Sequence, residues 1–335
     1  MCSPDRLTPP VLRSKLTGLW LLWLRKTRQE LLRILGKRRF VVLAFALLVL
    51  FWGSSFAVVK VGLGYSPPLL FAGLRALIGG MAMVLAAVLW GGNPNLRRDW
   101  PVFLVLALSN VVLFLGLQTY AIVYLPSGSA AVLVYLQPIL VGLLAWPILG
   151  ETLTAAKVSG LLLGFSGIVA VSAGSITGAA DALSPLGVVL GAGSAFFWAL
   201  GTVYFKKYEA RVSTLWAVAL PFLAGGVVLT AFGLSVESWG RVSWEGPFVA
   251  SMLYSGLVGI SLAWMIWFAL VRAGEASRVA SYIFVVPLTA VLIGVIFLGE
   301  PLGYTLLIGG AFVVCGIYLV NRQPSSKKGT GTRLD

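Results

Sequence analysis

Ten long apolar segments follow one another through this chain, separated by short gaps that contain turn-forming residues such as Pro67, Gly91 and Pro126. A helix needs about 20 apolar residues to cross the hydrocarbon core of a bilayer. Backbone polar groups find no water inside lipid, so each crossing segment must bond them internally as a helix. The pattern therefore predicts an all-α membrane protein with ten transmembrane helices. The predicted spans are residues 40–62, 68–90, 101–124, 127–149, 155–176, 184–206, 212–235, 247–270, 277–299 and 302–320.

Charged residues make up only 11% of the 335 residues, and hydrophobic residues make up 59%. A soluble domain carries roughly 25% charged residues, so lipid must surround most of this chain and membrane lipids are expected partners. The net charge of +14 does not indicate nucleic-acid binding, because Lys and Arg lie at the chain ends and between apolar segments. The chain contains no His, the commonest metal ligand and general base. We therefore expect no metal and no cofactor.

Residues 1–39 form a basic leader that contains ten Lys and Arg residues. Its apolar stretch, residues 16–24, is too short to span a membrane. Basic residues follow that stretch, where a signal peptide would have its cleavage site. The leader is predicted to be cytoplasmic and to form an amphipathic helix on the membrane surface, or a disordered tail over residues 1–10. Residues 321–335 are predicted to be a flexible cytoplasmic tail.

The distribution of basic residues predicts the orientation of the spans. With the leader in the cytoplasm, 22 of the 25 Lys and Arg residues fall on the cytoplasmic side and only Arg241 falls on the other. Lys60 and Arg75 lie inside spans. Cytoplasmic loops of membrane proteins carry the excess of Lys and Arg. We therefore expect a multi-pass protein of the cell membrane with both termini in the cytoplasm.

One stretch of sequence occurs twice. Residues 137–151 read QPILVGLLAWPILGE, and residues 286–300 read VPLTAVLIGVIFLGE, with Pro, Gly and Glu at matching positions. Residues 52–60, WGSSFAVVK, similarly match residues 198–206, WALGTVYFK. The chain is therefore predicted to contain two five-helix repeats, residues 40–176 and 184–320. An odd number of helices inverts the second repeat relative to the first, which is a recurrent plan of secondary transporters. The alternative is a chance similarity between apolar segments.

These motifs also resemble a known family. The WGSSFxxxK pattern of the first span, Pro68 followed by Arg75 in the second, and the paired Pro…Gly-Glu blocks are similar to EamA-type members of the drug/metabolite transporter superfamily. The resemblance covers about residues 40–320. It implies a ten-helix exporter or facilitator of small metabolites. Some relatives export amino acids, including aromatic ones, and others handle purines, cofactors or cationic drugs.

Charges inside spans are costly and usually functional. Arg75 lies seven residues past Pro68, roughly 10 Å into the second span, where no span offers a carboxylate. Its partner is a backbone carbonyl, a helix end, water or an anionic group of a substrate. Lys60 lies near a span end and is more simply an interfacial anchor. Glu151 and Glu300 precede the next spans and are expected to cap those helices.

Deep aromatic and polar side chains are the remaining candidates for a substrate site. Trp52 and Trp198 hold matching positions in the two repeats and would form a π-rich pocket suited to aromatic or cationic solutes; plain helix packing is the alternative. The predicted substrate-binding residues are Trp52, Ser55, Arg75, Gln137, Trp198, Trp264 and Tyr282.

Two prolines are candidates for hinges. Pro138 and Pro287 lie within the fourth and ninth spans, and a proline inside a helix leaves the carbonyl four residues earlier without its donor. The freed carbonyls belong to Val134 and Ile283. Both prolines are predicted to be hinges for alternating access, the alternative being a static bend.

Together these features predict a transporter, an exporter or facilitator of small metabolites such as amino acids or aromatic and cationic solutes. The alternative function is a flippase for lipids or lipid-linked intermediates, for which a lateral opening towards lipid would be expected. An intramembrane enzyme would need a His, an Asp pair or a metal cluster at depth, and the spans contain none. The protein is therefore predicted not to be an enzyme.

Overall fold

A computed structural model describes residues 38–125, 127–176, 184–298 and 304–322. The predicted surface helix of the leader before Arg38, the C-terminal tail after Arg322 and Glu300 lie outside these residues. The chain divides into two units, Met1–Ala46 and Leu47–Asp335. Every contact that positions the candidate site lies within the second unit.

The described residues form helices and contain no strand, as the apolar segments predict. Among the described residues, seven helical stretches are long and apolar enough to cross a membrane; one of them, Ala130–Leu149, includes the turn at residues 135–136. Three further apolar stretches are shorter, Ala155–Ala170, Ala276–Thr289 and Leu307–Asn321. This makes the chain a multi-pass membrane protein and is compatible with ten crossings. The helices are α1 Arg38–Leu63, α2 Pro68–Trp90, α3 Leu96–Tyr124, α4 Ser127–Val134, α5 Gln137–Leu149, α6 Ala155–Ile176, α7 Pro185–Tyr208, α8 Thr214–Val236, α9 Gly246–Ala273, α10 Ala276–Ser281, α11 Val285–Leu298 and α12 Tyr304–Asn321.

Local sequence explains where several helices begin. Pro68 and Pro185 occupy the first turns of α2 and α7, where a missing N–H costs nothing because that group has no partner inside the helix. The side chain of Ser184 accepts a hydrogen bond from the Gly187 N–H, and Ser213 does the same for Trp216 at the start of α8. These are ordinary N-caps, which satisfy donors that the helix leaves free.

Two predicted spans are interrupted near their prolines. The chain turns at residues 135–136 between α4 and α5, so Pro138 lies in the first turn of a new helix. A short 3₁₀ segment, Tyr282–Phe284, similarly separates α10 from α11 shortly before Pro287. The predicted fourth and ninth spans are therefore each two short helices.

Two other helices contain an unusual turn at mid-length. Ala107–Leu113 in α3 and Ser255–Leu262 in α9 are π-helical. Such segments are rare and occur frequently at functional sites. Here they lie next to the deep aromatic side chains.

Glycines allow two pairs of helices to approach closely. A Cβ added at Gly160 of α6 would lie 2.7 Å from the carbonyl oxygen of Gly316 in α12, and one added at Gly316 would lie 2.6 Å from the carbonyl oxygen of Gly160. Where α2 meets α8, a Cβ at Gly80 would lie 2.5 Å from the Leu223 nitrogen. Small residues at such crossings let helix backbones pack directly in a membrane.

Candidate functional site

Five aromatic rings meet in the interior of the second unit. The ring of Trp52 lies 5.2 Å from that of Trp198 and 5.7 Å from that of Trp267, between centroids, and 6.0 Å from that of Trp264. Phe114 stacks on Trp198 at 4.9 Å. All five side chains are buried. We call these five rings the aromatic cluster; their edge-to-face and offset contacts are geometries that aromatic pairs prefer.

A cavity of about 60 Å³ lies against the aromatic cluster. Pockets that enclose drug-sized ligands usually measure about 300–1,000 Å³, so this cavity is smaller than a typical ligand site. Among the lining residues, only Arg75 is charged. The lining consists of Trp52, Ser55, Val59, Arg75, Phe114, Leu115, Gln118, Ile122, Val134, Tyr135, Trp198, Gly259, Ile260 and Trp264.

Arg75 is buried in α2 with only 6% of its surface exposed. Its guanidinium carbon lies 5.7 Å from the centre of the Phe71 ring. The buried Nε atom has no hydrogen-bond partner, and none of the ion pairs among the described residues involves Arg75. A buried cation without a counter-charge is destabilising, which makes Arg75 a candidate for contact with water or a solute.

The cavity wall contains few other polar groups. The indole N–H of Trp52 donates to the Gly259 carbonyl at 3.3 Å, within the π-helical part of α9. Ser55 donates to the Phe51 carbonyl in its own helix at 2.5 Å, which leaves its oxygen free to accept. In the described part of the chain, no three side chains of His, Cys, Asp or Glu are grouped to hold a metal ion.

The structure brings together five of the seven predicted substrate-binding residues, Trp52, Ser55, Arg75, Trp198 and Trp264, which all line the cavity. The other two do not line it. Gln137 is fully buried and donates from Nε2 to the Thr202 hydroxyl at 3.3 Å, a contact between α5 and α7. Tyr282 begins the 3₁₀ segment between α10 and α11.

Neither Pro138 nor Pro287 lines the cavity. Val134, whose carbonyl was expected to be free, is the last residue of α4 and lines the cavity. Ile283 is buried inside the 3₁₀ segment. The break between α4 and α5 therefore adjoins the cavity, and the hinge role of the prolines stays a prediction.

Sequence reasoning did not select Phe114 for the site, although it stacks on Trp198 and lines the cavity. The chain contains 18 Phe residues, most of them in apolar segments. Nothing in the local sequence distinguishes Phe114 from the others. The π-helical segment that ends at Leu113 precedes it directly, but that feature is visible only in the structure.

Glu151 joins two distant parts of the chain. Its carboxylate accepts hydrogen bonds from the backbone N–H groups of Ala276 at 2.5 Å and Ser277 at 3.1 Å, and from the Ser277 hydroxyl. It therefore caps α10. The prediction that Glu151 caps the following helix is wrong, because Thr154 does so, accepting from the Lys157 N–H at 3.2 Å.

Lys157 strengthens the same junction. Its ammonium nitrogen lies 2.7 Å from a carboxylate oxygen of Glu275 and 3.2 Å from the Ser277 hydroxyl, and only 4% of the side chain is exposed. At the other end of the helices, Glu237 accepts from the N–H groups of Leu69 and Leu70, both at 2.9 Å. A carboxylate thus stabilises a helix N-terminus at each end of the molecule.

The EamA-like transporter family matches this chain twice, over residues 39–173 and 185–322. The chain belongs to the EamA-like transporter family. The resemblance seen in the sequence motifs is thereby confirmed. A Bacillus subtilis (strain 168) protein named "Uncharacterized transporter YvbV" is 44% identical over 286 residues, which cover 85% of this chain and 93% of that protein.

Two further comparisons are with a named relative and with a solved structure. A Salmonella typhimurium (strain LT2) protein named "Probable amino-acid metabolite efflux pump" is 28% identical over 286 residues, covering 82% of this chain and 92% of that protein. A solved crystal structure superimposes with a TM-score of 0.74 at 24% identity and covers 85% of this chain and 97% of that one. The latter similarity shows the fold alone. The relatives carry the names of transporters rather than of enzymes.

Proposed function

We propose that this EamA-family protein transports small metabolites by alternating access between two inverted five-helix repeats, residues 40–176 and 184–320. The observation that carries the proposal is the buried cavity. It combines a single unpaired cation, Arg75, with the aromatic cluster, and residues from both repeats line it. Amino acids and other small aromatic solutes match this chemistry, in keeping with the name of the Salmonella typhimurium relative.

Reciprocal contacts support the inverted arrangement. Leu77 and Gly80 of the first repeat match Leu223 and Gly226 of the second, both at an offset of 146 residues. A Cβ at Gly80 would approach Leu223, and a Cβ at Gly226 would approach Leu77 at 2.8 Å. Elements related by a two-fold axis make such paired contacts, in which each residue meets the counterpart of its partner.

The pair α6 and α12 has the same property. Gly160 and Gly167 match Gly309 and Gly316 in sequence. Gly160 meets Gly316, and a Cβ at Gly167 would lie 2.6 Å from the Gly309 carbonyl. Both crossings therefore support one pseudo-two-fold axis, and with it ten crossings of the membrane.

The distribution of Lys and Arg supports an orientation with both termini in the cytoplasm of a cell-membrane protein. The Glu151 junction then lies at the cytoplasmic end and Glu237 at the outer end. Arg75, about 10 Å below the outer start of α2, places the cavity in the outer half. The aromatic cluster lies on its cytoplasmic side, which supports a state that is closed towards the cytoplasm.

Counterflow in proteoliposomes tests this proposal. The purified chain is reconstituted and loaded with unlabelled amino acids, nucleosides, organic cations or sugars, and entry of the labelled solute is followed. We expect exchange of at least one class that protein-free liposomes do not show. If no class exchanges while the same proteoliposomes translocate a fluorescent phospholipid, the flippase alternative replaces this proposal.

A further inference from the structure

The charge in the cavity lining is positive. Arg75 is the only charged residue in its lining, and its guanidinium makes no ion pair with a described residue. The acidic side chains of the described residues lie at helix ends or in loops. They are Asp99, Glu151, Glu209, Glu237, Glu245 and Glu275. A solute in the cavity therefore finds a cation to pair with and no carboxylate.

The aromatic cluster offers little to a cation. A cation–π contact needs access to the face of a ring. Phe114 stacks on Trp198 at 4.9 Å with an interplanar angle of 28°, and Phe222 lies 5.0 Å from Trp264. The tryptophans contact one another at 5.2 to 6.2 Å. The cluster therefore provides an apolar wall for a hydrophobic body rather than a cage for an ammonium group.

A single arginine matches a single carboxylate. The planar guanidinium can donate two parallel hydrogen bonds to the two carboxylate oxygens. A phosphate dianion would require more donors, and the wall adds only a few neutral polar groups, such as Ser55 and Gln118. The chemistry thus favours a monoanion with an apolar body.

We infer that Arg75 binds the carboxylate of aromatic or branched apolar monocarboxylates and that an α-ammonium group is not required. This inference rests on the proposed transport function and narrows its solutes. Desamino acids are expected to bind at least as tightly as the corresponding amino acids, and amines of the same size at least about tenfold more weakly. Of the solutes predicted from the sequence, cationic ones are thereby excluded.

Three ligands that share one ring separate these contributions. They are 3-phenylpropionate, with the carboxylate alone; L-phenylalanine, with carboxylate and ammonium; and 2-phenylethylamine, with the ammonium alone. Binding to the purified full-length protein is measured through its tryptophan fluorescence, because three tryptophans line the cavity. We expect 3-phenylpropionate to bind at least as tightly as L-phenylalanine, because the cavity offers no carboxylate to the ammonium group, and the amine to bind at least about tenfold more weakly than 3-phenylpropionate.

Variants at Arg75 test the residue itself. Arg75→Gln should raise the Kd of both carboxylates at least about tenfold and leave that of the amine unchanged or lower. Arg75→Lys should raise the Kd of the carboxylates less, because the positive charge remains and only the two parallel donors of the planar guanidinium are lost. Lys60→Gln is the matched control. It removes a positive charge from the exposed side of α1, outside the cavity lining, and should change no Kd.

Two outcomes would overturn the inference: equal affinity for amine and carboxylates, or carboxylate affinity that survives Arg75→Gln. If Arg75→Gln does not fold, the inference is tested by the order of the three affinities for the unmodified protein and by the carboxylate Kd of Arg75→Lys. Counterflow with the same three solutes distinguishes this failure from that of the proposed function. If the ligands bind in the expected order but show no counterflow, only the proposed transport function is contradicted. If the amine shows counterflow equal to that of the carboxylates, only the inferred carboxylate site is contradicted.

Discussion

Replacing Glu151 by Gln tests the junction between α5 and α10. The carboxylate accepts from two backbone N–H groups and one hydroxyl, and its side chain is only 10% exposed. Gln keeps one oxygen and turns an NH₂ group towards the remaining donors. At least one N–H then has no acceptor, which costs about 1–3 kcal/mol. The lost negative charge at the helix N-terminus costs about 0.3–1 kcal/mol more.

We therefore expect Glu151→Gln to lower the free energy of unfolding by about 1–4 kcal/mol. Thermal unfolding of the purified protein in detergent measures this as a lower Tm. Glu245→Gln is the matched control, because Glu245 precedes α9, is exposed and makes no side-chain cap. Its Tm should stay unchanged. Equal Tm values for the two variants would refute the capping argument.

Two further predictions use the same unfolding measurement. Gly316→Ala should destabilise the protein by about 1–3 kcal/mol, because the new methyl would lie 2.6 Å from the Gly160 carbonyl oxygen. The control Gly310→Ala should be tolerated, because its methyl would have no neighbour closer than 3.7 Å. Equal effects of the two substitutions would contradict direct backbone packing. Trp52→Phe should destabilise the protein by about 1 kcal/mol more than Trp267→Phe. The Trp52 N–H donates to the Gly259 carbonyl, whereas the Trp267 N–H has no partner. The reverse order would contradict a structural role for the Trp52 hydrogen bond.

The helices could be predicted from sequence because lipid imposes a strict condition on the backbone. Eight predicted spans correspond to continuous helices, such as residues 68–90 to Pro68–Trp90. The other two are interrupted. A proline shows only that one N–H is missing. Whether the helix bends or stops depends on neighbouring helices, which local sequence does not describe.

The partners of charged residues were harder to predict. Glu151 was expected to cap the next helix, but its bonds run to residues 125 and 126 positions away. The cap of α6 is made by Thr154, three residues nearer to that helix. Arg75 was predicted to be unusual from its depth alone, and the structure places it in the wall of a cavity. That the wall offers no counter-charge depends on every helix around it.

The two repeats are not in identical environments, and Asn110 shows the difference. Trp52 donates to the Gly259 carbonyl, whereas the N–H of its counterpart Trp198 has no partner. The residue that matches Gly259 is Asn110, at the offset of 149 residues that also relates Pro138 to Pro287. Both polar side-chain atoms of Asn110 are buried without a hydrogen bond, and they lie against Gly201, one turn from Trp198. In an inverted repeat the opposite state exchanges the two environments, so Trp198 would then donate to the main-chain carbonyl of Asn110. We propose that the same rearrangement gives the Asn110 side chain, unsatisfied in the present state, a hydrogen-bond partner.

This proposal predicts that stability and transport change in opposite directions. Asn110→Leu removes two unsatisfied polar atoms at similar volume, so it should stabilise the present state by about 1–3 kcal/mol. It should also slow counterflow, because the opposite state loses its hydrogen bond. Ser109→Ala is the control, since Ser109 bonds only the Val105 carbonyl of its own helix, and it should change neither quantity appreciably. A variant Asn110→Leu that lowers both Tm and counterflow would point to a structural role for Asn110 in this state, and unchanged counterflow would contradict its role in the opposite one.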